Sequence, residues 1–225
     1  SKGNKVSQFL SPFHYLYLRT MKEEPDNRLV FSEELLNESY WNDRWMEKQT
    51  GWDIGYAAPA IMDYATTIQN KDGTILIPGC GNAYEVEGLL KLGFKNITVI
   101  DIAPKLVAQL REKFKLMKTV KVIEGDFFQH KGSYDFIIEQ TFFCAIPPSR
   151  REEYVIKMSE LLNGNGQLFG LLFNRVFFQN SPPFGGSMEE YQTIFNSQFT
   201  ETMFEKCENS IPPRAGTELF FIGKR

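Results

Sequence analysis

The 225-residue sequence has little cysteine and no excess of positive charge. Its three cysteines, Cys80, Cys144 and Cys207, are widely spaced and lack any CxxC pairing, which argues against both a disulfide framework and a zinc site. A reducing compartment suits this content, so we expect a cytoplasmic protein without a metal ion. The formal net charge of -3 gives no positive field for a polyanion. We therefore expect a small-molecule partner rather than nucleic acid.

Long apolar runs are also missing. No stretch approaches the roughly 20 apolar residues that span a bilayer, so we expect a soluble protein. The run FLSPFHYLYL is the one candidate targeting segment, but Pro12 and His14 interrupt it and no small-residue cleavage site follows. We interpret residues 1–36 as an N-terminal extension of unclear role and residues 37–225 as one domain. A monomer or a weak homodimer is expected.

From residue 74 onward, short β-rich runs alternate with amphipathic ones. Strands are predicted at TILIP, NITVIDI, VKVIEGD, SYDFIIEQ and GQLFGLLF, and helices at AYEVEGLLKLG, APKLVAQLREKFKLM and SRREEYVIKMSELL. The residues NGNG predict a turn before the fifth strand. Such alternation favours parallel pairing with right-handed crossovers. The predicted fold class is therefore α/β, a doubly wound, mostly parallel Rossmann-like sheet.

The C-terminal part departs from this alternation. The segment NSPPFGGSMEEYQTIF begins as a Pro/Gly-rich loop and is predicted to become helical at residues 188–195. Two closing strands, TETMFEKCE and TELFFIGKR, are predicted around the turn SIPPRAG. A loop of that length in a compact domain is often a lid or a binding loop.

A glycine loop, IPGCGNAYE, follows the first predicted strand, at the edge where open parallel sheets bind ligands. Gly79 and Gly81 allow a sharp turn and a close approach of the backbone to a ligand. A dinucleotide site requires another glycine at the position of Tyr84. A nicotinamide cofactor is therefore disfavoured.

Acidic residues follow the next two strands. Asp101 can accept hydrogen bonds from both ribose hydroxyls of an adenosine. Asp126 can accept one from the adenine amino group, while Phe127 packs against the base. The alternative for each acid is helix capping, above all for Asp101, because a helix is predicted from Pro104. Three features at successive strand ends favour an adenosine pocket without a phosphate cradle, which indicates S-adenosyl-L-methionine as the cofactor.

Several longer motifs resemble one known family. TILIPGCGNAYEVEGLL, VIDI, EGDFF, EQTFFCAIPPSRR, WNDRW, TGWDIG and the PPF near residue 183 resemble the thiopurine methyltransferase superfamily, and within it the thiol and halide (thiocyanate) methyltransferases. The resemblance runs from about Tyr40 to the C-terminus. It implies the class I S-adenosylmethionine-dependent methyltransferase fold and methyl transfer to a small soft nucleophile, which is a thiol, hydrosulfide, thiocyanate or halide.

The resemblance also implies roles for individual residues. Gly79 contacts the methionine part of the cofactor, and Gln140 faces the cofactor or the acceptor. Plant relatives tend to have tyrosine at the position of Gln140 and thiopurine enzymes arginine, so a neutral glutamine leaves the acceptor preference open. The resemblance further implies that the cofactor is contacted by Trp41, Trp45, Trp52, Asp101, Asp126 and Phe127.

All three tryptophans lie in YWNDRWMEKQTGW, before the first predicted strand. Trp41 and Trp45 are four residues apart, so they share one face if the segment is helical. One interpretation is packing against the edge of the sheet. Given the glycine loop, we favour a helical lid over the carboxyl edge, where indole faces attract a sulfonium.

Methyl transfer is an in-line displacement, which needs alignment and exclusion of water more than a strong base. Only two histidines, His14 and His130, are present, which suits an acceptor that is already a good nucleophile. Cys144 reads as a small buried thiol rather than a nucleophile. Candidate residues for acceptor positioning are Gln140, Phe142 and Phe143, with Phe184 as a further apolar wall. For Phe142 and Phe143, the alternative is a place in the core.

Two other functions stay open. One is a non-catalytic S-adenosylmethionine-binding module, and the other is a methyltransferase for another small molecule such as an aromatic thiol. A nucleic-acid methyltransferase is disfavoured, because EQTF stands where an (N/D)PP(Y/F) run would follow the fourth strand and no basic stripe is present.

Overall fold

The computed structural model describes residues 33–177 and 179–225. These residues belong to one compact unit, Ser32–Arg225. The run FLSPFHYLYL and nearly all of the predicted extension at residues 1–36 lie outside the described residues.

Helices and strands alternate through the described part of the chain. The α-helices are α1 (Glu38–Met46), α2 (Pro59–Thr67), α3 (Tyr84–Lys91), α4 (Pro104–Phe114), α5 (Arg151–Leu161) and α6 (Met188–Phe195). The strands are β1 (Thr74–Pro78), β2 (Asn96–Asp101), β3 (Val120–Glu124), β4 (Tyr134–Gln140), β5 (Leu162–Phe173), β6 (Glu201–Lys206) and β7 (Glu218–Lys224).

Among the described residues, the strands form one seven-stranded sheet in the order β3-β2-β1-β4-β5-β7-β6. Strands β1 to β5 pair in parallel, and β7 is antiparallel to both β5 and β6. The predicted doubly wound, mostly parallel sheet is confirmed. The strand order reverses between β1 and β4, and ligands bind at such a switch point, beyond the carboxyl ends of the strands.

Both faces of the sheet are covered by helices. On β1, Ile75 and Ile77 point to one core with side chains of α2, α3 and α4, whereas Leu76 points to a second core with side chains of α5 and α6. Burial on both faces explains why the central strands are almost continuously hydrophobic. Because helices cover both faces of the sheet, the loops at its carboxyl edge are left to form a ligand site.

The predicted NGNG turn is wrong in its extent. Strand β5 already begins at Leu162, directly after α5. Its pairing with β4 jumps from Tyr134↔Leu162 to Phe136↔Gln167, and Asn165 has a φ of 70°. The NGNG residues therefore form an irregularity inside the strand, since extra residues in one strand can bulge without ending the pairing.

Candidate active site

A cavity of about 1020 Å³ lies at the carboxyl edge of the sheet. The loops after β1, β2, β3 and β4 line it, together with α1 and the segment that follows α1. Pockets for drug-sized ligands span about 300–1,000 Å³, so this cavity has room for a nucleoside cofactor and a second small molecule.

The glycine loop forms the floor of the cavity. Gly79, Gly81 and Ala83 have φ angles of 54°, 51° and 52°, in the left-handed region that favours glycine. A Cβ atom on Gly79 would lie 2.1 Å from Cδ2 of Phe142, whereas one on Gly81 would meet Trp45 at 3.9 Å. Only a glycine fits at position 79, because the Phe142 ring fills the space of a side chain.

Asp101 ends β2 and lines the cavity. Its Oδ1 accepts a hydrogen bond from the Ala103 backbone N–H at 3.0 Å, and its Oδ2 accepts one from the Gly81 N–H at 3.4 Å. The N-cap of α4 is Ala103, so Asp101 is not the capping residue. Burial raises the pKa of the carboxyl to about 6, although these backbone donors lower it. The carboxylate joins the glycine loop to β2 at the cavity wall.

This geometry gives a prediction for Asp101→Asn. If the carboxylate accepts from the ribose hydroxyls, the variant should lose about 1–3 kcal/mol of affinity for S-adenosylhomocysteine, the cost of an unpaired buried polar group. A bound ribose favours the charged carboxylate, so wild-type affinity should fall as the pH drops through about 6. Calorimetry from pH 5 to 8 checks this. An unchanged affinity, or the same pH profile in the variant, would restrict Asp101 to its backbone contacts.

The segment after β3 carries two phenylalanines with different surroundings. Asp126 accepts from the Phe128 N–H at 2.9 Å and caps the short helix Phe127–Gln129. Phe127 reaches the cavity but is only 4% exposed, because it packs on Phe142 and Tyr154. Phe128 also lines the cavity.

Phe128 is a residue that the sequence reasoning missed. The Arg150 guanidinium lies 3.6 Å from the centroid of the Phe128 ring, and Glu153 holds the Arg150 side chain through two hydrogen bonds of 2.7 and 3.0 Å. The pair FF after an acid was the available signal, since one ring of such a pair can face the core and the other the ligand.

The three tryptophans meet at the cavity wall. Trp41 and Trp45 lie on α1, and Trp52 lies in the following loop. The Trp52 ring makes edge-on contacts with both, at centroid distances of 5.7 Å to Trp41 and 6.0 Å to Trp45. All three line the cavity. We call Trp41, Trp45 and Trp52 the aromatic lid.

The residues after β4 separate into cavity and core. Gln140 and Phe142 line the cavity, and Oε1 of Gln140 is buried without a hydrogen-bond partner among the described residues. Phe143 is 1% exposed, packs on Tyr154 and Tyr191, and is absent from the cavity wall. The prediction that Phe143 positions the acceptor is therefore corrected, and it belongs to the core.

Near this turn, the prediction for Phe184 is wrong, whereas Cys144 is a buried thiol as expected. Phe184 does not line the cavity; its backbone N–H donates to the Cys144 carbonyl at 2.7 Å. Burial, reinforced by the nearby Glu139, raises the pKa of the Cys144 thiol to about 12. A thiol that stays protonated does not act as a nucleophile.

Glu139 fixes the turn that separates these residues. It is 0% exposed. Its Oε1 accepts from the N–H groups of Phe142 and Phe143 at 2.7 and 2.9 Å, and its Oε2 accepts from the Tyr154 hydroxyl at 2.5 Å. Burial raises the pKa of Glu139 to about 7. Glu139 was not among the residues predicted for the site, although an acid directly after the apolar run FII of β4 is rarely buried.

Arg214 brings a buried positive charge to the cavity, and the sequence reasoning also missed it. The residue is 9% exposed and lines the cavity. Its Nη2 donates to the Trp52 carbonyl at 2.9 Å, and its Nη1 lies 3.5 Å from Oε1 of Glu218. The guanidinium lies 5.5 Å from the Phe173 ring centroid. The one signal was an arginine in a Pro/Gly turn before an apolar strand.

Metal-binding clusters and membrane-spanning helices are both absent from residues 33–177 and 179–225. In that range no group of three or more His, Cys, Asp or Glu residues is arranged to hold a metal ion. No helix there is long and apolar enough to cross a membrane.

Curated relatives align with most of this chain at 26–29% identity. The probable thiol methyltransferase 2 of Arabidopsis thaliana is 29% identical over 184 residues, which cover 79% of this chain and 81% of that protein. Thiocyanate methyltransferase 1 of the same plant is 26% identical over 200 residues, covering 86% and 88%. The thiopurine S-methyltransferase of Vibrio campbellii is 26% identical over 182 residues, covering 71% and 82%.

Solved structures share the fold at low identity. Magnesium protoporphyrin IX methyltransferase from Synechocystis PCC 6803, solved with bound SAH, has a TM-score of 0.65 at 12% identity, covering 86% of this chain and 100% of that one. The 1,6-didemethyltoxoflavin-N1-methyltransferase of Burkholderia thailandensis has a TM-score of 0.63 at 13% identity, covering 98% and 93%. At these identities the likeness concerns the fold alone.

A family model described as thiopurine S-methyltransferase matches residues 36–219, which is most of the chain. The resemblance carried by the sequence motifs is thereby confirmed. The fold agrees, because the solved neighbours with this sheet are methyltransferases. The chain is therefore a methyltransferase that belongs to the thiopurine S-methyltransferase family.

Proposed function

We propose that this S-adenosylmethionine-dependent methyltransferase methylates a small soft nucleophile, which is a thiol, hydrosulfide, thiocyanate or halide that reacts as its anion. The observation that carries the proposal is a cavity wall with many aromatic rings that also holds one buried guanidinium, that of Arg214, 5.5 Å from the Phe173 ring centroid. No histidine occurs among the described residues of that wall. An acceptor that is already anionic needs no general base.

The residues of the cavity fit the cofactor. The backbone makes a left-handed turn at Gly79, which lines the cavity, and Oε1 of Gln140 is a buried acceptor that still needs a donor. Asp101 is proposed to hold the ribose hydroxyls and Asp126 the adenine amino group. Phe128 offers its ring to the base. When bound, S-adenosylmethionine supplies a methyl group on a positively charged sulfur.

The aromatic lid is proposed to cover the sulfonium end of this site. Indole rings attract a cation by about 0.5–2 kcal/mol and exclude water. A dry site strengthens electrostatic attraction and removes the hydration shell of an anionic nucleophile. The lid would therefore assist the displacement by attracting the cation and excluding water. Other residues of the cavity would align the two reactants.

The acceptor side is proposed to lie between Arg214 and apolar side chains. Phe142, Phe173 and Phe177 line the cavity, and the rings of Phe173 and Phe177 are in edge-on contact at 5.1 Å. Arg214 would hold the anion with its charge, since hydrogen bonds to charged groups contribute about 1.5–3 kcal/mol. The apolar rings would strip water from it.

A second candidate acceptor is an aromatic thiol. A halide or hydrosulfide needs about the space of one water molecule, roughly 30 Å³, whereas the cavity measures about 1020 Å³. The wall of Phe142, Phe173 and Phe177 also suits a flat ring, since aromatic rings pack edge-on or in offset stacks. Both candidates share a sulfur or halide nucleophile held near Arg214.

A panel of acceptors tests the proposal. Methyl transfer from labelled S-adenosylmethionine is measured to bisulfide, thiocyanate, iodide and an aromatic thiol, and transfer to at least one is expected. Arg214→Met should raise the KM of that acceptor by about 10- to 150-fold, as expected for the loss of a charged hydrogen-bond partner. Arg214→Lys, which keeps the charge, is the matched control. Silence across the panel with S-adenosylhomocysteine binding intact would favour the non-catalytic module.

A further inference from the structure

Polar contacts tie the loop that carries Trp52 to the glycine loop. Asp53 follows Trp52 directly. Its Oδ2 accepts from Nδ2 of Asn82 at 2.6 Å and from the Tyr84 hydroxyl at 3.2 Å. Asn82 belongs to the glycine loop, and Tyr84 is the first residue of α3. We call Asp53, Asn82 and Tyr84 the Asp53 latch.

The Asp53 latch is internally connected. Nδ2 of Asn82 lies 3.2 Å from the Tyr84 hydroxyl, so the three side chains bond one another in a triangle. The other carboxylate oxygen of Asp53 accepts from the Gly55 N–H at 3.0 Å, which shapes the loop itself. On the glycine-loop side, Lys113 donates to the Asn82 carbonyl at 3.1 Å. Both ends of the latch are therefore held by other parts of the chain.

A further contact, which is buried, ties down the same loop a few residues later. Glu85, which is 5% exposed, accepts from the Ala58 N–H at 3.1 Å. Residue 53 is thus tied to residues 82 and 84, and residue 58 is tied to residue 85. Tyr84, which replaces the last glycine of the dinucleotide fingerprint, thus donates its hydroxyl to the loop that carries Trp52.

The aromatic lid depends on this loop for its place. Trp52 contacts both Trp41 and Trp45, and the ring of Trp45 lies near Gly81. The Trp52 carbonyl also accepts from Arg214. Movement of the loop away from the glycine loop would therefore separate Trp52 from the floor of the cavity and from the other two rings of the lid.

We propose that Asp53, Asn82 and Tyr84 are positioning residues that hold the aromatic lid closed over the cofactor and slow its dissociation. The proposal rests on the proposed cofactor site. The latch contacts the glycine loop and not the acceptor side, so breaking it speeds the release of the nucleoside cofactor. It changes the KM of the cofactor more than the KM of the acceptor.

Two substitutions break the latch with little change in shape. Tyr84→Phe removes only the hydroxyl. Asp53→Asn keeps one oxygen for the Gly55 N–H but turns an amide toward two donors. Tyr64→Phe is the matched control, because the Tyr64 hydroxyl also donates one half-buried hydrogen bond, to Gln167 at 2.8 Å, and Tyr64 is absent from the cavity wall.

The test measures release of S-adenosylhomocysteine by stopped-flow tryptophan fluorescence. All three tryptophans of the sequence belong to the lid, so the signal reports on it. Calorimetry gives the affinity independently, and thermal melting reports stability. We expect Tyr84→Phe and Asp53→Asn to dissociate about 3- to 10-fold faster than wild type, as for one lost hydrogen bond, with melting temperatures no lower than that of Tyr64→Phe.

The outcomes separate the two proposals. Wild-type rates in both latch variants would overturn the latch, as would an equal acceleration in Tyr64→Phe, which would mark a general loss of stability. Failure of the wild-type protein to bind S-adenosylhomocysteine would instead overturn the proposed function.

Discussion

Gly79→Ala is expected to reduce S-adenosylhomocysteine affinity by at least about 30-fold and methyl transfer with it. The new Cβ would lie 2.1 Å from Cδ2 and 2.7 Å from Cγ of Phe142, at a φ of 54°. Left-handed strain costs about 1–2 kcal/mol and overpacking about 1–3 kcal/mol. Phe142 cannot easily move, because Glu139 holds its N–H and Phe127 packs on its ring. Calorimetry and the methyl-transfer assay measure both effects.

Two other glycines separate strain from the clash. Gly81→Ala has nearly the same φ, 51°, but meets only Trp45 at 3.9 Å, so it should lose affinity less than Gly79→Ala. Gly93→Ala has a φ of 92° and nothing within 4 Å, and it should lower stability alone. Equal affinity in Gly79→Ala and Gly81→Ala would contradict the account of Phe142 as the neighbour that excludes a side chain.

Glu139→Ala is expected to destabilise the protein by about 3 kcal/mol or more. The change leaves the N–H groups of Phe142 and Phe143 and the Tyr154 hydroxyl without their acceptor in a buried site, and each such group costs about 1–3 kcal/mol. Glu139→Gln should destabilise far less, because its oxygen still accepts from both N–H groups and its NH₂ can donate to the Tyr154 oxygen. Urea unfolding at pH 7 measures both, and equal losses would contradict this assignment of the bonds.

A comparison of wild type with Glu139→Gln also gives a pH test. The folded-state pKa of Glu139 is about 7, against 4.5 for an unburied glutamic acid, so the folded protein retains a proton that the unfolded chain releases between these values. Its contribution to stability is full below pH 4.5 and is lost as the pH rises to about 7. At about 1.36 kcal/mol per pH unit, the unfolding free energy of wild type should fall by about 3 kcal/mol more than that of Glu139→Gln. Parallel curves would show that the carboxyl is already charged.

The sheet and the place of the ligand site followed from the sequence because both depend on local pattern. Alternating strands and helices impose parallel pairing, and register then brings the ends of β1, β2 and β3 together, as in the pairs Pro78↔Ile100 and Asp101↔Glu124. The glycine loop and the acids at positions 101 and 126 therefore had to meet at one edge.

The turn after β4 could not be predicted in the same way. Phe142 and Phe143 are equally hydrophobic, and what separates them is the left-handed Thr141, with a φ of 57°, and the bonds of their N–H groups to Glu139. These contacts turn one ring to the cavity and the other to the core. Hydrophobic pattern carries no such information.

Arg214 was missed for a different reason. Its partner in the cavity wall is the Trp52 carbonyl, 162 positions away in sequence. A contact of that separation depends on the antiparallel return of β7 between β5 and β6, which places the turn before β7 at the cavity. Nothing in the local sequence around Arg214 or Trp52 predicts that the two residues meet.

Calorimetric titration with S-adenosylhomocysteine and with NAD tests most directly the claim that the cavity is an adenosine site without a phosphate cradle. We expect S-adenosylhomocysteine to bind at one molecule per chain and Asp101→Asn to weaken this binding. NAD should not bind, because Tyr84 replaces the glycine that a pyrophosphate requires. Binding of NAD without binding of S-adenosylhomocysteine would contradict it.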